Sequence, residues 1–210
     1  MSGIRQIIQL LRRGLRERRN LPPREIARRI WRSGVAMVAA QQYLRGCDSV
    51  GARARIVGHP LIANHGTMMI GDDLTLNCTV APVQMVSEAG GKLVIGDGVS
   101  LNFGVVITSR LFVHLGDRVR VGPFGIIADT DVPLPDMDAL RAARLVRTAP
   151  VVIKNDVWLG ARVTVLAGSC IGEGSVIGAG SVVVGDIPAG VIASGNPARV
   201  IRQIADVQHD

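Results

Sequence analysis

Residues 153–188 read IKNDVWLGARVTVLAGSCIGEGSVIGAGSVVVGDIP, and this stretch decides the fold. A branched aliphatic residue recurs at every sixth position. Neither an α-helix, with a period of about 3.6, nor a simple β-strand, with a period of about 2, has this spacing. It indicates a parallel β-helix, in which each repeat supplies one strand and one turn and three repeats complete a coil. The recurring residues are Ile153, Leu159, Val165, Ile171, Ile177 and Val183.

The same spacing appears upstream in groups separated by breaks in phase. Two extra residues precede Ile70 and Leu115, and longer excursions occupy roughly 82–94 and 128–152. An all-β sandwich is disfavoured because its turn signals recur every 8–12 residues or so. We therefore predict about six coils with insertions between them. The upstream positions are Val50, Ile56, Ile62, Ile70, Leu76, Ile95, Leu101, Ile107, Leu115, Val121 and Ile127.

The composition fits a narrow repeat core with appendages. Only 3% of the 210 residues are aromatic, whereas 48% are apolar. We predict a helical segment over 1–46, a β-helix domain over 47–197 that carries the excursion at 128–152, and a short C-terminal helix with a tail over 198–210. The three cysteines show neither a disulfide framework nor metal-ligand spacing, so we expect no metal. Without a membrane-spanning or secretory segment, the expected compartment is the cytoplasm.

The positive charge of the chain is confined to its N-terminus. Residues 1–33 hold ten Arg against Glu17 and Glu25, which gives +8, whereas the whole chain carries +7. An amphipathic, arginine-rich helix over 1–20 is expected, followed by a break at Asn20–Pro23 and a second helix. The first helix could lie on an anionic membrane surface, on the inner face of the membrane, or pack on protein. Nucleic-acid binding is not expected, because no aromatic residues are interleaved with the arginines.

The segment VWLGARVTVLAGSCIGEGSVIGAGSVVVGDIPAGVIASGNPARVIR, residues 157–202, resembles the bacterial hexapeptide-repeat acetyltransferases. It is most similar to the branch that acetylates maltose, galactosides and polysaccharides on oxygen. The resemblance implies a left-handed parallel β-helix, a homotrimer, acetyl-CoA as the donor and active sites in clefts between subunits. It also implies a sugar or saccharide precursor as the acceptor, in the assembly of cell-surface polysaccharide.

The resemblance assigns the donor side to the C-terminal coils. One aromatic and several small residues match family positions along the channel for the pantetheine arm, and two arginines match the basic segment near the nucleotide. Tight coil corners would also explain the glycines and alanines, and a solvated helix face would explain the arginines. Gly185 departs from the lysine frequent at its position. The assigned residues are Trp158, Gly160, Ala161, Gly178, Ala179, Gly180, Arg199 and Arg202.

The acceptor side departs from the family. In the family, an Asp-rich turn is followed by His-Pro, and this His is the catalytic one. In this chain, Asp129-Thr130-Asp131 is followed by Val132-Pro133. No His occurs between Leu115 and Gln208. Asn102 and Asp129 match positions expected to contact the acceptor.

Three explanations of the missing His remain open. An amine acceptor needs no general base, since a neutral amine attacks a thioester directly. Alternatively, Asp131 or a group of the substrate replaces the base, with His114 as a second candidate expected to point outward. Finally, the protein could be a trimeric scaffold that has lost catalysis.

Overall fold

The computed structural model describes residues 36–130 and 147–205 and folds them into a parallel β-helix. Each coil contributes one strand to each of three parallel sheets, which we call faces 1, 2 and 3 in chain order. Corners I, II and III follow faces 1, 2 and 3. Because strands in adjacent coils lie about 4.8 Å apart, residues at equivalent positions stack in columns along the axis.

The strands are short and regularly spaced. Coils one and two contain β1 Ser49–Val50, β2 Arg55–Gly58, β3 Leu61–Asn64, β4 Thr67–Ile70, β5 Thr75–Cys78 and β6 Gln84–Ser87. Coils three and four contain β7 Lys92–Ile95, β8 Ser100–Leu101, β9 Val106–Ser109, β10 Phe112–Leu115, β11 Arg120–Val121 and β12 Ile126–Ala128. The remaining strands are β13 Val151–Ile153, β14 Trp158–Leu159, β15 Thr164–Val165, β16 Cys170–Ile171, β17 Val176–Ile177, β18 Val182–Val183, β19 Asp186–Ile187, β20 Val191–Gly195 and β21 Ala198–Gln203.

The sixfold spacing sets the register of the coils. Ile153 pairs with Ile171 on face 1, and Leu159 pairs with Ile177 on face 2. All four side chains are fully buried, because each recurring aliphatic points into the prism. Successive side chains of a strand point to opposite faces, so the preceding residue points outward. Six complete coils result, followed by the partial coil of β19 and β20, which confirms the predicted parallel β-helix and its coil number.

One predicted excursion is wrong. The range 82–94 contains β6 and most of β7, both in register with their neighbours. Met85 and Leu93 are fully buried in the core. The corners on either side of β6 are longer, so Met85 follows inward Leu76 by nine positions and precedes inward Ile95 by ten.

The predicted C-terminal helix is also wrong over the described residues. Ala198–Gln203 form β21, which runs antiparallel to β20 after a reversal at Gly195, where φ is 111°. β-branched Val200 and Ile201 favour a strand, and β20 offers a free edge for pairing. Residues 206–210 lie outside the described residues.

The N-terminal end of the prism is packed by helical residues 36–43. Ala40 and Leu44 are 2% exposed and belong to the same core cluster as the first coils. The basic segment 1–35 lies outside the described residues, and the predicted domain limits stay predictions. In the described part of the chain, no helix has the length and apolarity that a membrane crossing requires.

Candidate functional site

A column of glycines runs along corner II of the later coils. Gly122 and Gly160 each follow an inward residue of face 2, and a Cβ atom on either would lie 2.7 Å from the backbone nitrogen of Ala161 or Ala179. A Cβ on Gly178 would lie 2.6 Å from the Ser194 Oγ. Close stacking of the coils therefore requires these glycines. Tight coil corners explain their presence, whether or not the column also binds a ligand.

At the outer edge of corner II, two large side chains are followed by a glycine in the next coil. Phe124 and Arg162 occupy equivalent corner positions, both with φ of 57°, and the Arg162 Cζ lies 6.0 Å from the Phe124 ring centroid. The next equivalent position is Gly180, with φ of 73°. Beside it, Ala161 is half-buried and Ala179 is exposed, so methyl groups border the column there.

Trp158 stands on face 2 beside this column. Its side chain points outward from β14, and the residue is 41% exposed. Its neighbours on the same face are Arg120 of β11 and Val176 of β17. The sequence pattern did not predict Arg120 as a neighbour of Trp158. The available signal was its place directly before inward Val121, which matches the place of Trp158 before Leu159, but the excursion between the two coils hides this equivalence.

The two predicted nucleotide-binding arginines lie on β21. Arg202 pairs with Ile192 of β20, and Ile192 follows Val176 on face 2, so Trp158 and Arg202 share one column. Arg199 pairs with Ser194 and is exposed, with its Nη1 donating to the Ala198 carbonyl at 3.0 Å. The structure thus brings Arg202 to the C-terminal end of the column that contains Trp158, and Arg199 to the same end of the neighbouring glycine column.

Asn102 lies at the other end of the glycine column. Its N–H donates to the Val121 carbonyl one coil later, as the N–H of Gly122 donates to Leu159. Its Oδ1 accepts hydrogen bonds of 2.9 Å from the Asn77 side chain and from the Phe103 N–H. These contacts fix the amide plane, so Asn102 and the predicted donor residues share one edge of the prism.

The predicted contact between Asp129 and the acceptor stays a prediction. The residue is fully buried at corner III, and its carboxylate accepts hydrogen bonds from three backbone N–H groups and one hydroxyl. All these partners belong to the chain, so the Asp129 carboxylate orders the corner. Asp131, the candidate replacement base, lies outside the described residues.

His114 points outward from β10 and is half-buried. Its neighbours on face 1 are Val94 and Val152, and the centroid of its ring lies 6.2 Å from that of Phe112. His114 and Trp158 occupy different faces, so corner II does not bring them together within one chain.

Corner I carries most of the ordered charge of the described residues. The Oδ1 of Asp97 and that of Asp117 accept backbone N–H groups of the preceding coil at 2.7 and 2.9 Å. Arg118 forms two hydrogen bonds to Asp156, at 2.6 and 2.7 Å, and these lower the pKa of the Asp156 carboxyl. These groups bind one another and stabilise the stacked corner.

Comparison with known proteins identifies the repeat. The family model of the bacterial transferase hexapeptide (six repeats) matches residues 150–185. The chain is 39% identical over 117 residues to a galactoside O-acetyltransferase of Escherichia coli (strain K12), a match covering 56% of this chain and 57% of the relative. A galactoside O-acetyltransferase of Lactococcus lactis is 38% identical over 131 residues, covering 62% of each. These matches span less than two thirds of either relative.

A solved structure supports the same grouping. The structure of a galactoside acetyltransferase in complex with coenzyme A superposes with a TM-score of 0.56 at 29% identity. The superposition covers 81% of this chain and 73% of that chain. The likeness therefore extends beyond the repeats that the family model matches.

Proposed function

We infer that the chain belongs to the bacterial hexapeptide-repeat acetyltransferases, and we propose that it transfers an acetyl group from acetyl-CoA to a sugar or saccharide precursor. The observation that carries the proposal is the corner II edge. It combines the glycine column, the exposed indole of Trp158 and two arginines at one end. Tight corners explain the glycines alone, but not this combination.

The corner II edge suits an extended thiol arm. Gly122, Gly160 and Gly178 lie one coil apart, so their column spans about 10 Å at about 4.8 Å per coil. An arm lying along it would meet backbone, the methyl group of Ala179 and one side of Trp158. The guanidinium groups of Arg199 and Arg202 would then bind phosphates of the nucleotide, for which their forked donors are suited.

The reaction requires attack of an acceptor oxygen or nitrogen on the thioester carbonyl. A new C–O or C–N bond forms, the C–S bond breaks, and the acceptor proton ends on the thiolate of CoA. A hydroxyl is a poor nucleophile unless its proton is removed, and a positioned base contributes roughly 10²–10⁴-fold. Val132 occupies the family position of that base. For a hydroxyl acceptor, we assign the role to Asp131, with His114 as the other candidate.

An amino sugar is the second candidate acceptor, and the absence of His between Leu115 and Gln208 favours it. An amine with a pKa near about 7.7 is on the order of a tenth neutral at pH 7, and the neutral form attacks without a base. The transfer rate would then rise with pH until the amine is deprotonated. A scaffold that binds CoA without transferring acetyl groups is the third candidate.

A homotrimer is the assembly we infer. Face 1 presents an outward column of Met69, Val94, His114, Val152 and Cys170, which is largely apolar and ends at Asp186. The outward residues of face 3 include Val106 and Ile126, and Ile126 is 41% exposed. Two apolar faces that meet at corner III suit a closed ring of three copies, because each copy would cover a face of its neighbour. His114 would then lie at a subunit interface.

Action near the inner face of the membrane is a further part of the proposal. The charge of +8 over residues 1–33 suits contact with anionic lipid and with a lipid-linked precursor of cell-surface polysaccharide. Deletion of residues 1–20 should abolish association with anionic liposomes and leave the oligomeric state unchanged. Retained association would contradict membrane contact through this segment.

The proposal is tested by following CoA release from acetyl-CoA with two acceptors, methyl galactoside and D-glucosamine. Acetylation of the methyl galactoside supports hydroxyl transfer, and acetylation of the glucosamine nitrogen alone supports the amine alternative. If CoA binds but neither these nor a wider panel of sugars is acetylated, the scaffold alternative is favoured. Failure to bind CoA contradicts all three.

A further inference from the structure

The carboxylate of Asp129 is saturated with donors from one short segment. Its Oδ1 accepts the Arg110 N–H at 2.8 Å, and its Oδ2 accepts the N–H groups of Arg110, Leu111 and Phe112 at 3.0, 2.7 and 2.7 Å. The Ser109 hydroxyl donates to Oδ2 at 3.3 Å. Both oxygens therefore accept hydrogen bonds from the segment that leads into β10.

This side chain takes the place of a backbone acceptor. One coil earlier, the Glu88 N–H donates to the Ser109 carbonyl at 2.8 Å across corner III. The Asp129 carbonyl is the next acceptor in that series, but it accepts the Ala149 N–H at 2.9 Å instead. Because buried N–H groups need a partner, the Arg110 N–H turns to the Asp129 carboxylate.

Asp129 also lies where both ends of the excursion meet. Thr130 and Thr148 form an antiparallel bridge with their hydroxyl oxygens 3.2 Å apart. In the described part of the chain, Asp129 is the only charged residue that is buried, and equivalent positions carry Ser87 and Ser109. A buried charge is costly unless it is well hydrogen-bonded, so a carboxylate here has a specific task.

We propose that Asp129 is a positioning residue of the acetyl-transfer site. Its backbone carbonyl holds the return of the excursion at Ala149, and its carboxylate holds the segment 110–112. The two ends of the excursion, at Thr130 and Thr148, are therefore held in one geometry relative to β10 and His114. This inference rests on the proposed function, in which the excursion contributes to the acceptor side. It assigns Asp129 to acceptor geometry and not to donor binding at corner II.

The test compares Asp129→Asn with Asp97→Asn in the full chain. An amide has one oxygen, so D129N turns an NH₂ group towards backbone N–H groups. Asp97 accepts one N–H, from Asp72, through Oδ1, so its Asn variant keeps that bond. In D129N, hydrogen exchange of amides 110–112 should accelerate about tenfold or more through local opening. The KM for the sugar that the wild type acetylates should rise about fivefold or more from misplacement, while the CoA Kd stays within about twofold. D97N should change none of these.

Two results would overturn the inference: unchanged exchange at 110–112, or faster exchange with an unchanged KM for the sugar. An equal loss of CoA affinity would also overturn it, because it would indicate general destabilisation. If D129N does not fold, Asp129→Ser repeats the test with the residue found at the same corner of earlier coils. A wild-type chain that binds CoA but acetylates no sugar would contradict the proposed function instead, and exchange would then decide whether Asp129 fixes the excursion.

Discussion

A Cβ atom on Gly160 would lie 2.7 Å from the backbone nitrogen of Ala179, one coil later at corner II. Gly172 and Ala189 have the same relationship at corner I, where the distance is 2.3 Å. Both alanines are exposed, so each presents a methyl group at the edge of a tightly stacked corner. The two corners therefore offer a matched pair of positions, of which only one lies in the proposed CoA site.

Ala179→Leu should weaken CoA binding about tenfold or more, because the larger side chain would fill the path of the pantetheine arm. Ala189→Leu is the control and should leave the CoA affinity unchanged. Both variants should keep the wild-type Tm, since each new side chain points to solvent. Isothermal titration with CoA and thermal unfolding check these expectations. Equal affinities in the two variants would argue against an arm at corner II.

Trp158→Ala should mainly weaken CoA binding, whereas Leu159→Ala should mainly lower the stability, although the residues are adjacent. Leu159 is fully buried, so its truncation should cost about 2–5 kcal/mol of unfolding free energy. Trp158 is 41% exposed, so its truncation should cost about 1 kcal/mol or less and should weaken CoA binding. Urea unfolding and CoA titration separate the two effects. A large stability loss in Trp158→Ala would make that side chain structural.

The outward column that contains Trp158 and the inward column that contains Leu159 show which parts of this structure the sequence predicts. Aliphatic residues at every sixth position fix which side chains point inward, so the register of the later coils follows from the pattern. The burial of Met85 in the core is not predicted, because the corners on either side of β6 are longer and change its spacing from the neighbouring inward residues. β21 was mistaken for a helix because its pairing depends on the free edge of β20. The burial of Asp129 was hidden because it depends on contacts with residues 109–112, about 20 positions earlier in the chain.

Desolvation, and to a lesser extent the charge of Asp48, raise the pKa of the Cys47 thiol to about 11. In the unfolded chain the pKa should be near about 8.5. The folded state retains the proton between these values, so this group's contribution to stability is complete below about pH 8.5 and is lost as the pH rises towards 11. Iodoacetamide labelling of Cys47 should have its midpoint near pH 11 in the folded protein. Labelling in urea is the control, with a midpoint near about 8.5. Equal midpoints would contradict the burial of this thiol.

Asp131→Asn should lower kcat for a hydroxyl acceptor by about 10²–10⁴-fold, because it removes the proposed base. His114→Gln is the comparison and should leave kcat unchanged, since Asp131 is the base we assign. Neither change should alter the CoA Kd. Steady-state kinetics with the acetylated sugar distinguish the candidates. A loss in His114→Gln alone would transfer the role to that residue, and no loss in either variant would exclude both residues as the base.

Binding of CoA to the full-length chain is the most direct test of the account, because every proposed step requires it. Isothermal titration should show saturable binding at one site per subunit, and the affinity should fall with rising salt because Arg199 and Arg202 bind phosphates. An absence of measurable CoA binding to the folded protein would contradict the assignment of corner II as the donor site and, with it, the acetyltransferase function.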